Sequence, residues 1–210
     1  MPIRPYVGNT FVAFIDISGF KLMMKDNEAA LRVLTQFYQA GYDALEINNS
    51  VQGFFVSDCG ILFSDSNSFQ GQIDSLLLAI KSINRRMLEH NVMLTTSIAY
   101  GHFNYTTKLE FEGIAKNPIY GQAYLSAYLD GATGIPKIEP GQCRIVLKDF
   151  SETQRNELNL NPFLLPKGRN HLQYFWNVNE VEEISQFEKK YADAYTRKYQ
   201  GMLNALKNEL

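Results

Sequence analysis

Cysteine, histidine and tryptophan are scarce in this chain of 210 residues, which has two, three and one of them respectively. Cys59 and Cys143 show no ligand spacing and no disulfide framework, and read as reduced thiols of a cytoplasmic protein. His90, His102 and His171 are scattered, which argues against a histidine-built metal cluster. Long apolar runs are missing too. The stretch from Phe11 stops at Ile15, far short of the ~20 residues a bilayer requires. After Arg4 there is no apolar h-region or cleavage pattern, so no secretory signal is read. Neither sign of charge dominates: 20 basic and 22 acidic residues leave a net charge of −2. That balance carries no electrostatic footprint for nucleic acid or for an anionic membrane. Repeats, low-complexity tracts and linkers are also absent.

What remains is the composition of a globular protein, 45% hydrophobic and 20% charged, long enough for one substantial core. Residues 1–10, with two prolines and a glycine, read as an irregular lead-in. Residues 11–17 are rich in β-branched and aromatic residues and read as a buried strand. Helical spacing over about 21–48 places Leu31, Leu34, Phe37, Tyr38 and Leu45 on one helix. Gln52–Val56 and Gly60–Phe63 form a hairpin about the turn Ser57-Asp58. A second long helix spans 69–91, and a long strand runs from Met93 to Tyr105. The order β, α, β-hairpin, α, β is the ferredoxin-like βαββαβ arrangement of an α/β (α+β) protein, an antiparallel sheet with helices on one face. Tyr105–Asn117 reads as a loop or arm, Gly121–Asp130 as a third helix closed by Gly131, and Arg144–Leu147 and His171–Trp176 as strands. Asn159–Gly168, with two prolines, reads as loop. Residues 181–207 form a last helix whose stripe includes Tyr191, Tyr195 and Tyr199. The stripe packs on its own domain or braces a dimer. The division is a core over 1–150 and a C-terminal extension over 151–210 packed on the same domain.

Two carboxylates stand out. Asp16 closes the first strand, immediately before Ser18, Gly19 and a helix start. Such a turn suits a metal-bound phosphate: free N–H groups meet the phosphate and the carboxylate meets the metal. It suits equally an ordinary strand-to-helix turn capped by Ser18. Asp58 sits at the hairpin tip, a common place for an aspartate. In a ferredoxin-like sheet, however, the first strand and the hairpin are neighbours. Asp16 and Asp58 are therefore expected to converge, as Mg²⁺ or Mn²⁺ with a substrate phosphate requires.

These residues resemble the motifs of class III nucleotidyl cyclases. Phe14-Ile15-Asp16-Ile17-Ser18-Gly19-Phe20 resembles the first metal motif, and Val56-Ser57-Asp58-Cys59-Gly60-Ile61-Leu62-Phe63 the second. Ser97-Ile98-Ala99-Tyr100-Gly101 resembles the next core strand, and Ile119-Tyr120-Gly121-Gln122-Ala123-Tyr124 the turn and helix after it. The resemblance covers roughly residues 10–148. It implies two Mg²⁺ or Mn²⁺ ions per site held by Asp16, Asp58 and the Ile17 carbonyl. It also implies a phosphate turn at Ser18, Gly19 and Phe20, and a homodimer with shared sites.

The departures are specific. Phe54 stands where purine cyclases carry a base-reading residue, Pro118 lies near a second such position, and Leu125 and Leu129 replace the transition-state asparagine and arginine. The metal motif with a lost purine reader resembles the bacterial pyrimidine cyclases of Pycsar anti-phage systems. The resemblance implies conversion of UTP, else CTP, to a cyclic nucleotide that activates a separate effector. Phe54 would narrow the base pocket, and Thr95, Thr96 or Asn117 would read the base edge. Arg144 and Lys148 are candidates to replace the missing arginine, or lie on a solvated strand edge. Tyr124 and Tyr128 share a helical face, and His102 is either near the site or an ordinary surface or core histidine. The other class of function is an inactive nucleotide-binding or scaffold module with the cyclase fold.

Overall fold

The computed structural model describes residues 3–106, 118–148, 150–195 and 198–208. Strand β1 (Tyr6–Ile17) leads into a one-turn helix α1 (Phe20–Met23) and then α2 (Asn27–Ile47). The hairpin is β2 (Val51–Val56) and β3 (Cys59–Ser64), followed by α3 (Phe69–Glu89) and β4 (Leu94–Tyr105). After the short β5 (Ile119–Tyr120) come α4 (Gln122–Thr133) and β6 (Cys143–Val146). The C-terminal part holds α5 (Glu152–Leu158), β7 (Leu164–Lys167), β8 (His171–Tyr174), a 3₁₀ turn at Val181–Glu183, α6 (Ile184–Tyr195) and α7 (Lys198–Lys207).

Seven strands run in the order β2-β3-β1-β4-β6-β8-β7, and β5 pairs with β4. The first four give the antiparallel order of a ferredoxin-like βαββαβ unit. β6 joins β4 in parallel, which makes the sheet mixed rather than purely antiparallel. Alternation along β1 assigns its two faces. Phe11, Ala13, Ile15 and Ile17 enter the main core under α2 and α3. Val12 and Phe14 belong to a smaller cluster with Ile61, Phe63, Phe103 and Tyr105 on the other face, where α4 packs.

Local chemistry accounts for the differences from the sequence reading. β1 begins at Tyr6, inside the expected lead-in, because Tyr6 pairs with Tyr105 and its ring packs on Phe63 and Phe103. The first long helix is two helices, since the Asp26 carboxylate accepts from the N–H groups of Glu28 and Ala29 and starts α2 afresh. The third helix runs through the expected stop at Gly131 and ends at Gly134. α5 begins at a capping box between Ser151 and Gln154. β7 lies within the expected Asn159–Gly168 loop and carries Pro166; as the outermost strand it tolerates a residue that lacks an N–H.

The C-terminal strands are tied to the core by a buried ionic cluster. Arg144 on β6 donates from Nε to Asp130 Oδ2 (2.8 Å) and from Nη2 to Oδ1 (2.9 Å). His171 Nε2 lies 2.8 Å from Oδ1, and Ser97 donates to Oδ2 at 2.6 Å. All four residues are buried. Burial pushes the Asp130 carboxyl up, but the bonds from His171, Arg144 and Ser97, with the Arg144 charge, outweigh it and hold it at about 2. A depressed carboxyl stabilises the fold above its unfolded pKa and ceases to do so as pH falls through the folded one. This contribution is therefore lost between about pH 4 and pH 2. Asp130→Asn leaves Arg144 buried without its counter-charge and should cost about 3–5 kcal/mol in urea unfolding at pH 7. The loss should shrink as the wild type is itself titrated below about pH 4.

Candidate active site

β1 emerges between β3 and β4, and its last residues are fixed from both sides. The Ile17 N–H donates to the Asp58 carbonyl at 3.0 Å, and the Ser18 N–H donates to the Met93 carbonyl at 2.9 Å. Asp16 pairs with Cys59 on one side and Thr95 on the other. The hairpin tip is closed by Ser57 in a left-handed conformation (φ 53°), with Tyr38 donating to its carbonyl at 3.0 Å. That geometry brings Asp58 beside the end of β1. Ligand atoms of Asp16, Asp58 and Cys59 all lie within 4.8 Å of one another.

Burial and the neighbouring Asp58 make Asp16 costly to ionise. Burial, then the charge of Asp58, pushes the Asp16 carboxyl above its usual range, and the Cys59 S–H partly offsets this by donating to Asp16 Oδ1 at 3.5 Å. Burial and the same two carboxylates push the Cys59 thiol up to about 12. It therefore stays protonated near neutrality and acts as a donor to Asp16. Two half-buried carboxylates that repel each other are a fitting donor set for a hard divalent cation. A second sign of an unfinished site is the Ser18 hydroxyl, which is buried without a hydrogen-bond partner. Asp16 and Asp58 would hold Mg²⁺ or Mn²⁺ here.

The turn that follows differs in detail from expectation. Ser18 caps nothing: the N-cap of α1 is Gly19, in the left-handed region (φ 81°) with no side-chain bond. The Ser18 N–H, offered above to a phosphate, is already used on Met93, so only its hydroxyl remains. Phe20 is buried in the main core and anchors the turn. Phe54 lies on the Asp16 face, its ring stacked on Tyr105 with centroids 5.8 Å apart. Thr96 pairs with Ile15 and so points to the opposite, helix-covered face; its role as a base reader does not fit that register. Thr95, paired with Asp16, lies on the site's side. Asn117 lies outside the described residues.

Other candidates are placed elsewhere. Arg144 is not at a solvated edge and does not approach the turn, being engaged with Asp130. Lys148 is exposed. His102 is exposed near the far end of β4 from Thr95. Tyr124 and Tyr128 stack on each other, and Tyr128 meets Phe14 edge-on. Leu125 and Leu129 are 48% and 46% exposed, so α4 turns an apolar stripe outward. Sequence reasoning missed Cys59 as the third polar group; its position opposite Asp16 was readable from the hairpin register.

No protein-family model matches the sequence, and no curated protein matches it. Solved structures do. The adenylyl cyclase CyaB from P. aeruginosa superposes with a TM-score of 0.55 at 16% identity, over 82% of this chain and 95% of that one. The monomeric guanylyl cyclase domain of the RhoGC fusion protein from the aquatic fungus Blastocladiella emersonii gives 0.61 at 10% identity, over 83% and 98%. The guanylate cyclase domain of RhGC from Catenaria anguillulae, in complex with GTP, gives 0.56 at 12% identity, over 81% and 95%. This chain has the fold of a class III cyclase domain. Among the described residues, no helix of this cyclase fold is long and apolar enough to cross a membrane.

A carboxyl whose pKa is raised on folding destabilises the folded protein in full above its folded pKa, and the penalty shrinks as pH falls and vanishes below the unfolded pKa. At pH 7 without metal, Asp16→Asn should therefore raise the Tm by about 1–3 °C. Mn²⁺ should raise the Tm of the wild type and leave that of the variant unchanged. Calorimetry with and without chelator checks both.

Proposed function

We propose that this chain is a nucleotidyl cyclase acting on a pyrimidine nucleoside triphosphate, UTP first and CTP second. The observation that carries the reading is the meeting of Asp16 and Asp58 at the mouth of the Ser18-Gly19-Phe20 turn, within a cyclase fold. The ribose 3′-hydroxyl attacks the α-phosphorus, a new P–O bond closes the ring, and pyrophosphate leaves. Divalent cations at such a site would supply charge stabilisation to the triphosphate and the attacking oxygen. The chain's own part is positioning. Asp16 and Asp58 would hold the cations that meet one end of the substrate, and the Gly19 and Phe20 N–H groups with the Ser18 hydroxyl meet its phosphates.

Pyrimidine choice rests on the base side of the same face. Phe54, held by its stack on Tyr105, fills space where a polar purine reader is expected. Thr95 supplies a short hydroxyl beside Asp16. The neighbouring structures are adenylyl and guanylyl cyclases, so the pyrimidine assignment rests on Phe54 and Thr95 of this chain and not on them. A homodimer joined across the open sheet face covers the stripe of Leu125, Tyr128 and Leu129. One neighbour is a non-canonical dimeric guanylyl cyclase domain, and another is monomeric. The product fits a signal in anti-phage defence, read by a separate effector. A second reading, a nucleotide-binding module without turnover, is favoured by Leu125 and Leu129, since neither can stabilise a transition state by charge.

Incubation with each of the four NTPs and Mn²⁺, followed by chromatography, separates the two readings. Cyclic UMP or cyclic CMP is the expected product. Asp16→Ala and Asp58→Ala should each lower its rate by on the order of 10³-fold or more, with the double variant hardly worse. Tight nucleotide binding without any cyclic product would establish the module instead.

The base pocket has its own test. Phe54→Ala removes one large apolar contact and should shift preference between pyrimidine and purine triphosphates by about 10- to 100-fold in kcat/KM. Unchanged ratios across the four nucleotides would make Phe54 a packing residue only.

A further inference from the structure

We propose that Tyr199, on the last helix, is a positioning residue for the Ser18-Gly19-Phe20 turn. The proposal rests on the reading of that turn as the phosphate site. Tyr199 Oη accepts the Met93 N–H at 3.1 Å and donates to the Asn91 carbonyl at 3.4 Å. The carbonyl of the same Met93 accepts the Ser18 N–H at 2.9 Å. One phenol therefore holds the residue that holds the turn. The ring itself lies against Gly19: a Cβ placed there would sit 4.0 Å from Tyr199 Cε2. The turn is thus tethered by a hydrogen bond at Ser18 and walled by an aromatic ring at Gly19. Phe20 is pinned in the core beyond it.

Docking of α7 does not require this hydroxyl. Met202, Leu203 and Leu206 are already buried, and Lys207 donates to Asn91 Oδ1 at 2.7 Å. Asn91 is itself left-handed (φ 63°), so α7 grips the tight connection between α3 and β4 at two points. What the phenol adds is a partner for the Met93 N–H. A partly buried N–H deprived of its partner is costly, and the strand end relaxes to find another. Because Met93 lies immediately before β4, that relaxation passes directly to Ser18. A phosphate site displaced by a fraction of an ångström to 1 Å loses much of its effect.

The test compares Tyr199→Phe with Tyr191→Phe in the full chain. Tyr191 is the control: it lies on α6, is buried, and its hydroxyl meets the Pro140 carbonyl at 2.6 Å and Met202 Sδ on α7 at 3.5 Å, so its loss loosens α7 without removing the partner of the Met93 N–H. Two quantities are read: hydrogen exchange at the Ser18 amide, and KM against kcat for UTP with Mn²⁺. Tyr199→Phe should speed Ser18 exchange about tenfold and raise KM about 5- to 20-fold, with a smaller change in kcat. Tyr191→Phe should leave both within about twofold, even where its Tm falls as far. Ser18 exchange no faster in Tyr199→Phe than in Tyr191→Phe would overturn the tether. Faster exchange with unchanged KM would overturn the positioning role. A wild type that converts no nucleotide defeats the cyclase reading instead, and the exchange comparison still decides the tether.

Discussion

The end of β1 is held between two backbone hydrogen bonds, Ile17 to Asp58 on one side and Ser18 to Met93 on the other. Every feature of the site depends on them. The first fixes the hairpin tip against β1 and sets the distance between the carboxylates. The second holds the strand end just before the left-handed step at Gly19. Neither bond involves a reactive group, and both are made by main-chain atoms whose register is set elsewhere. That register is enforced by packing: a one-residue slip of β1 would turn Phe11, Ala13 and Ile15 out of the core and Asp16 into it.

Electrostatics work against the fold at one place and for it at another. Asp16 and Asp58 repel each other, and burial raises the cost further, so the site is poised to gain from a cation. Asp130 is the more deeply buried of the two but is surrounded by donors, and its carboxyl drops to about 2. The difference is the company: Arg144, His171 and Ser97 around Asp130, against a second carboxylate and a thiol around Asp16. Two aspartates of one chain thus meet opposite electrostatic surroundings, one crowded by a second carboxylate and one held by donors.

Much of the core was legible in the sequence because the signals there are local. The β-branched run at 11–17, the Ser57-Asp58 turn and the apolar stripe of α3 each announce their own element, and their order specifies the βαββαβ unit. The convergence of Asp16 and Asp58 followed from topology alone. What was not legible depends on partners distant in sequence. Nothing near Arg144 announces Asp130, so a buried ion pair looked like a solvated edge. Thr95 and Thr96 differ only in which face of β4 they take, and that is set by pairing with β1. Tyr199 looked like one more member of an apolar stripe, since the main-chain groups its hydroxyl meets, at Asn91 and Met93, lie some hundred residues earlier.

The cluster around Asp130 also bears on where this chain can be cut. A boundary near residue 150 looks natural, since the cyclase-like motifs end there. Yet β6 hydrogen-bonds to β8, His171 completes the Asp130 cluster, and the Trp176 indole donates to the Gly141 carbonyl. A chain ended at that boundary would carry β6 as a bare edge, with one side of Cys143 and Ile145 uncovered. Such an edge recruits further strands from other molecules. The last sixty or so residues therefore act as the sheet's seal against self-association, and a minimal folded fragment of this protein has to include them.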